Sequence, residues 1–232
     1  NTVQFQLALI EAGQALRRES DVRSDRLGAG GEPGRLSRTA IDFTVQAAAE
    51  YTARAIGAGA RLRILATSAV REAANSDDLR QALRQAAPLA PEIEIVSGER
   101  EARLSWLGAR SALAFPETWP VADIGGASSE LIRRAAGGLR ALSVDLGAVR
   151  AVRQGWGREE IRRRVRAGFG EQDKLPADAA VVGVGGCITT AAGIDRGLAR
   201  YDRAAVEGNL LMASVLERQA EILLPLSRER RC

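Results

Sequence analysis

Hydrophobic and polar positions in the first half of the chain follow two alternating periods. Residues 3–10 and 16–22 read as strands separated by a turn at residues 11–13. Residues 26–34 form a glycine-rich loop. Ser37 has the chemistry of a helix N-cap. Beyond it Ile41, Val45, Ala48, Thr52 and Ile56 share one face of a long helix that ends near Gly57 and Gly59. A short apolar run at 62–66 predicts a strand, 76–86 a helix closed before Pro88, and 93–96 another strand. Residues 99–113 predict a helix with Leu104, Leu107 and Ser111 on one side.

Pro116-Glu-Thr-Trp-Pro120 is the candidate hinge, which puts one α/β domain at 1–116 and a second at 117–232. In the second, strands are predicted at 121–124, 130–134 and 139–144, with a turn at Gly137-Gly138, and helices at about 148–154 and 158–167. A strand at 180–184, a helix from about 188 and a helical stretch at 211–224 complete it. Alternating strands and helices imply a largely buried sheet in an α/β fold.

Composition narrows the chemistry. The 232 residues are 46% hydrophobic and 27% charged, the pattern of a folded globular chain of one or two domains. There is no histidine, which excludes Ser-His-Asp and Cys-His nucleophile pairs and His-ligated metal sites. Proton transfer near neutral pH therefore falls to a carboxylate, a Tyr, a Cys or Lys174, the one lysine among 33 basic residues. Cys187 and Cys232 form no C-x-x-C pair, which favours a reducing cytoplasm. No apolar run of about 18 residues marks a membrane span. The net charge of +4 weakly favours polyanionic partners, although an arginine bias also follows from a GC-rich genome. Aromatics are scarce and none interleave with arginine, so nucleic acid ranks last among partners.

Two segments echo each other. Val121-Ala-Asp-Ile-Gly-Gly-Ala-Ser-Ser129 and Val181-Val-Gly-Val-Gly-Gly-Cys-Ile-Thr189 each run from a buried strand into Gly-Gly and then hydroxyl residues. Such glycines let backbone N–H groups approach an anion, and the second loop also opens a helix. An ordinary hairpin is the alternative. Asp123 and Glu130 bracket the first loop with hard oxygen donors suited to Mg²⁺ shared with phosphates. Thr67-Ser-Ala-Val-Arg71 follows a strand and reads either as a phosphate fork or as a helix-initiating turn with a surface arginine. Glu99 and Glu101 lie in the first turn of a helix, where acids complement the dipole; one of them is also the candidate general base.

Five segments occur in one order: Ala66-Thr-Ser-Ala-Val-Arg-Glu-Ala-Ala-Asn75, Ser97-Gly-Glu-Arg-Glu-Ala-Arg-Leu104, Asp123-Ile-Gly-Gly-Ala-Ser-Ser-Glu130, Leu146-Gly-Ala-Val-Arg150 and Gly183-Val-Gly-Gly-Cys-Ile-Thr-Thr190. Together they resemble the exopolyphosphatase / guanosine pentaphosphate phosphohydrolase (Ppx/GppA) family over nearly the whole chain. The resemblance implies an actin-like, ribonuclease-H-type fold of two α/β domains around a cleft that holds the active site. It implies Mg²⁺-dependent release of terminal phosphate from inorganic polyphosphate or pppGpp, with a homodimer left open. Glu101 then matches the acid that activates water, and Arg71 the arginine that holds phosphate. Thr67 and Ser68 join the phosphate contacts. Asp123 and Glu130 match acids near the metal, with Gly125, Gly126, Ala127, Ser128 and Ser129 as the cradle. Gly183, Gly185 and Gly186 match the later glycine loop. Asn1 and Thr2 resemble the end of a first phosphate loop reading Asp-x-Gly-Ser-Asn-Thr.

Departures from the pattern shape the expectations. The earlier residues of that first loop are expected just before Asn1, so the first domain reads as truncated there, and the second as truncated after Arg231. Ala127 stands where a third glycine is usual and narrows the loop unless its φ is negative. Arg100 replaces an acid and is expected to hold Glu101 ionised or to meet phosphate. Cys187 replaces a threonine, and Glu207 stands where the pattern has histidine. The rival readings are a sugar kinase or actin-like ATPase of the same fold, and a non-catalytic polyphosphate or (p)ppGpp binder.

Overall fold

The chain folds into two compact units, Asn1–Glu101 with Val149–Gly155, and Ala102–Ala148 with Trp156–Cys232. The computed structural model describes residues 2–23, 34–170, 174–176 and 178–226; Asn1 and most of the glycine-rich loop at 26–34 lie outside them. The division falls inside the helix Gly98–Ala112, ahead of the Pro116 hinge suggested by composition.

In the first unit β1 (Val3–Glu11) and β2 (Gln14–Arg23) form an antiparallel hairpin. Its two-residue turn has positive φ at both Ala12 and Gly13, the geometry that matches the twist of paired strands. α1 (Arg38–Gly57) starts where predicted, with Ser37 Oγ accepting from the Ala40 N–H at 3.2 Å. Phe5 of β1 stacks on Tyr51 of α1, ring centroids 4.7 Å apart. On α1's other flank, Ile41 and Val45 pack with Leu79 and Leu83 of α3 (Ser76–Ala86) and with Ile93. Ile56 is 49% exposed, contrary to the predicted face, because it lies about 60° of rotation past Ile41; Ala55 is buried in its place. β3 (Ile64–Ala66) and β4 (Ile93–Ile95) pair in parallel. Between β3 and α3 comes α2 (Ser68–Arg71), a single turn that periodicity does not reveal.

The second unit holds a four-stranded sheet in the order β7-β6-β5-β8, from β5 (Val121–Ile124), β6 (Ser129–Ala135), β7 (Gly138–Val144) and β8 (Val182–Val184). β8 lies parallel to β5, and the other pairs are antiparallel. Val121 and Ile132, direct cross-strand partners, are fully buried, each worth about 1.5–3 kcal/mol. Against them α4 (Gly98–Ala112) sets Ala102, Trp106 and Ala109, while Leu104 and Leu107 face outward at 41% and 47% exposure. The predicted α4 face is thus corrected: small alanines let the helix approach the sheet, and Trp106 fills the space that leucines were expected to fill. Then follow α5 (Ala148–Arg153), α6 (Arg158–Phe169), α7 (Gly186–Asp195), α8 (Arg203–Val206) and α9 (Ala213–Leu223). Among the described residues no helix is long and apolar enough to cross a membrane.

Candidate functional site

The first unit brings Arg71 and Glu101 together. Thr67 is extended, so the chain leaves β3 and turns at once into α2, which ends on Arg71. Nη1 of Arg71 donates to the carbonyl of buried Val96 at 2.7 Å and stands 3.2 Å from Glu101 Oε2. Val96 is itself tied to β3, its N–H donating to the Ala66 carbonyl at 2.9 Å. Glu101 lies in the first turn of α4, a turn that Ser97 caps by accepting from the Arg100 N–H. Both side chains stay partly exposed, at 31% and 21%. Glu99, the other candidate base, is left without a described partner role in this pair.

Arg100 pairs within the same unit. Its guanidinium pairs with Glu94, which also takes Arg63 at 2.5 Å. The hydrogen bond from Arg63, reinforced by the charge of Arg100, holds the Glu94 carboxyl below its ordinary range.

The second unit builds two glycine loops beside one pair of acids. Asp123 and Glu130 are direct cross-strand partners on β5 and β6. Ser105 Oγ donates to Asp123 Oδ2 at 2.6 Å, and Ser143 Oγ donates to Glu130 Oε1 at 2.7 Å. Glu130 is buried and Asp123 half-buried. In the loop between them, the Gly125 N–H donates to the Ser128 carbonyl at 3.0 Å. Residues 146–148 support this loop from outside it. The Leu146 carbonyl accepts from Ser129 Oγ, and the Ala148 N–H donates to the Gly125 carbonyl at 3.0 Å. A Cβ on Gly147 would lie 2.3 Å from the Gly126 carbonyl carbon, so only glycine permits this approach. Ala127 is absent from the positive-φ residues, and its methyl group is thereby accommodated.

Gly185 precedes α7 with φ +99, and a Cβ there would come 2.5 Å from the Ile124 carbonyl oxygen and 3.4 Å from Asp123 Oδ1. Gly186 opens α7, whose N-terminal dipole end favours anions. Cys187 is exposed as a residue, yet partial shielding of its sulfur pushes the thiol pKa up.

Other predicted contacts occur in both units. Ser68, Ser128 and Ser129 are buried, and the Ser129 hydroxyl is engaged with Leu146. The Ser129 hydroxyl thereby anchors the first residue of β6. Gly183 lies within β8, where a Cβ would meet Ile188 at 2.8 Å; its lack of a side chain serves packing. Asn75, last residue of the first motif, is structural: its amide spans the Leu36 N–H and carbonyl at 2.8 and 3.1 Å. Thr2 and Thr67 do converge, lining a cavity of about 210 Å³ with apolar walls that include Val45, Ile64 and Ile93. Asn1 is outside the described residues.

Comparison with known proteins gives the family. A family model described as the Ppx/GppA phosphatase family matches residues 17–182. The chain belongs to the Ppx/GppA phosphatase family. It is 27% identical, over 255 aligned positions, to "Exopolyphosphatase 2" of Mycobacterium tuberculosis, covering the whole of this chain and 79% of that one. It is similar to the crystal structure of the Aquifex aeolicus Ppx/GppA family member, with a TM-score of 0.78 at 25% identity, covering 99% of this chain and 78% of that one. A crystal structure described as an exopolyphosphatase-like protein aligns with a TM-score of 0.84 at 25% identity, over 100% and 77% of the two chains. The fold is accordingly the actin-like, ribonuclease-H-type α/β fold, and the family's chemistry is phosphatase hydrolysis.

Of the two acids, Asp123 has the donor chemistry that could hold a Mg²⁺. Among the described residues no three Cys, Asp or Glu side chains gather into a metal cage of their own. Asp123 offers one oxygen beside the glycine loop, and Mg²⁺ ordinarily takes one or two carboxylates with phosphate and water completing its shell. Sequence reasoning missed Ser105 and Ser143, and held Gly147 only as part of the Leu146–Arg150 motif without a role. Ser143 was reachable, since a tight turn before Gly138 places it opposite Glu130; the contacts of Ser105 and Gly147 are tertiary.

Proposed function

We propose that the chain is a Mg²⁺-dependent phosphohydrolase that releases terminal orthophosphate from inorganic polyphosphate, from pppGpp to give ppGpp, or from both. Membership of the phosphatase family supports this reading, as does the name exopolyphosphatase carried by a relative that the chain matches along its full length. The observation that carries it is the Arg71–Glu101 pair. In a chain without histidine, Glu101 is the base and Arg71 the fork that holds the terminal phosphoryl group.

The reaction needs little covalent work from the protein. A water oxygen bonds to the terminal phosphorus as the bridging P–O bond breaks, and the bond pair leaves with the shortened chain. Glu101 takes the water proton and Arg71 balances charge on the phosphoryl oxygens. The Gly125–Ser128 and Gly185–Gly186 backbones bind the phosphates, with Asp123 and Glu130 on the metal side. Mg²⁺, when bound, neutralises phosphate charge.

The test is phosphate release with Mg²⁺ from long polyphosphate, pppGpp and ATP side by side. Release from one or both of the first two without an acceptor supports the reading. Turnover of ATP alone, dependent on an acceptor, selects the kinase reading. Salt-dependent binding with no release from any of the three selects a non-catalytic binder.

A further inference from the structure

The two oxygens of Asp123 are not equivalent. Oδ2 accepts the Ser105 hydroxyl at 2.6 Å, the length of a charge-assisted O–H···O⁻ bond. Oδ1 is the oxygen beside Gly185, where an added methyl group would come within 3.4 Å. Ser105 sits inside α4, four residues after Glu101. A helical serine has a local alternative, bonding back to the carbonyl one turn earlier. Its single proton goes instead to Asp123.

We propose that Ser105 is a positioning residue that makes Asp123 a one-oxygen ligand and so favours Mg²⁺ over Ca²⁺; this rests on the reading of Asp123 as a metal ligand given above. With Oδ2 engaged by the hydroxyl, the carboxylate presents Oδ1 alone toward the glycine loop. Mg²⁺ is served by such single-oxygen ligands in a near-octahedral shell at about 2.0–2.1 Å, whereas Ca²⁺ readily takes both oxygens of one carboxylate in a larger shell. Outer hydrogen bonds of this kind orient metal ligands, and their removal weakens metal binding about 10–100-fold.

The experiment uses the full chain and Mn²⁺, whose free ion is counted by electron paramagnetic resonance, displaced in turn by Mg²⁺ and by Ca²⁺. In Ser105→Ala the concentration of Mg²⁺ needed for displacement rises about 10-fold or more relative to that of Ca²⁺. Ser105→Thr, which keeps a hydroxyl, retains the wild-type ratio. A Mg²⁺/Ca²⁺ ratio unchanged in Ser105→Ala overturns the inference, as does a Ser105→Thr protein that behaves like Ser105→Ala; a uniform loss for both ions means that Ser105 only supports the fold. Asp123→Asn separates the two levels. Loss of Mn²⁺ binding there upholds the ligand reading whatever Ser105 does, and wild-type binding removes that reading and the inference with it.

Discussion

Arg71 Nη1 donates to the Val96 carbonyl at 2.7 Å and stands 3.2 Å from Glu101 Oε2. A carbonyl fixed by the β3–β4 pair thus aims the guanidinium, and the guanidinium in turn orients the carboxylate. A lysine at this position offers a point charge on a flexible stem instead of a planar fork. Arg71→Lys should therefore behave almost as Arg71→Ala, both lowering kcat/KM for polyphosphate release by about 10²–10³, the loss typical of one charge-stabilising donor. Steady-state kinetics check this, and near-wild-type activity in the lysine variant contradicts it.

Glu94 takes both Arg63 and Arg100. Because the folded Glu94 carboxyl titrates below its ordinary value of 4.5, its ion pairs add stability that is fully present above that value and is lost as pH falls through the folded pKa. The thermal midpoint of Glu94→Gln should lie slightly below wild type at neutral pH, the difference being small because these pairs are solvent-exposed, and the gap should close as the solution is taken below pH 4.5.

Gly147 and Gly168 are crowded for different reasons. A Cβ at Gly147 meets the backbone of Gly126 and Ala127, whereas one at Gly168 meets the Val144 side chain at 2.3 Å. Each alanine variant should lose about 1–3 kcal/mol of stability, the usual cost of overpacking. Only Gly147→Ala should also raise KM, because only there must the phosphate loop move. Thermal denaturation paired with kinetics distinguishes them, and equal KM values in the two variants would falsify the loop assignment.

Much of this fold is legible in the sequence. Ser37 capped the helix that its hydroxyl promised, and Val121 and Ile132 formed the centre of a sheet that their apolar runs announced. Arg71 and Glu101, thirty residues apart, are separately recognisable because each follows a short strand, Arg71 at the end of the single turn α2 and Glu101 in the first turn of α4. Their contact is not, since it requires β3 and β4 to lie side by side. Ser68, Ser128 and Ser129 are buried, and sequence alone does not separate a hydroxyl that faces a ligand from one that ties down a turn, as Ser129 does through the Leu146 carbonyl. On α4, leucine content pointed to the wrong face, because alanines that permit close packing carry little hydrophobic signal.

The most direct test of the central claim is orthophosphate release from polyphosphate by Glu101→Gln, measured beside substrate binding. Glutamine keeps the shape of the side chain but accepts no proton. The expected result is binding close to wild type and turnover lower by about 10²–10⁴-fold, or roughly 3–5.5 kcal/mol of barrier. Phosphate release at the wild-type rate would contradict the assignment of Glu101 as the base.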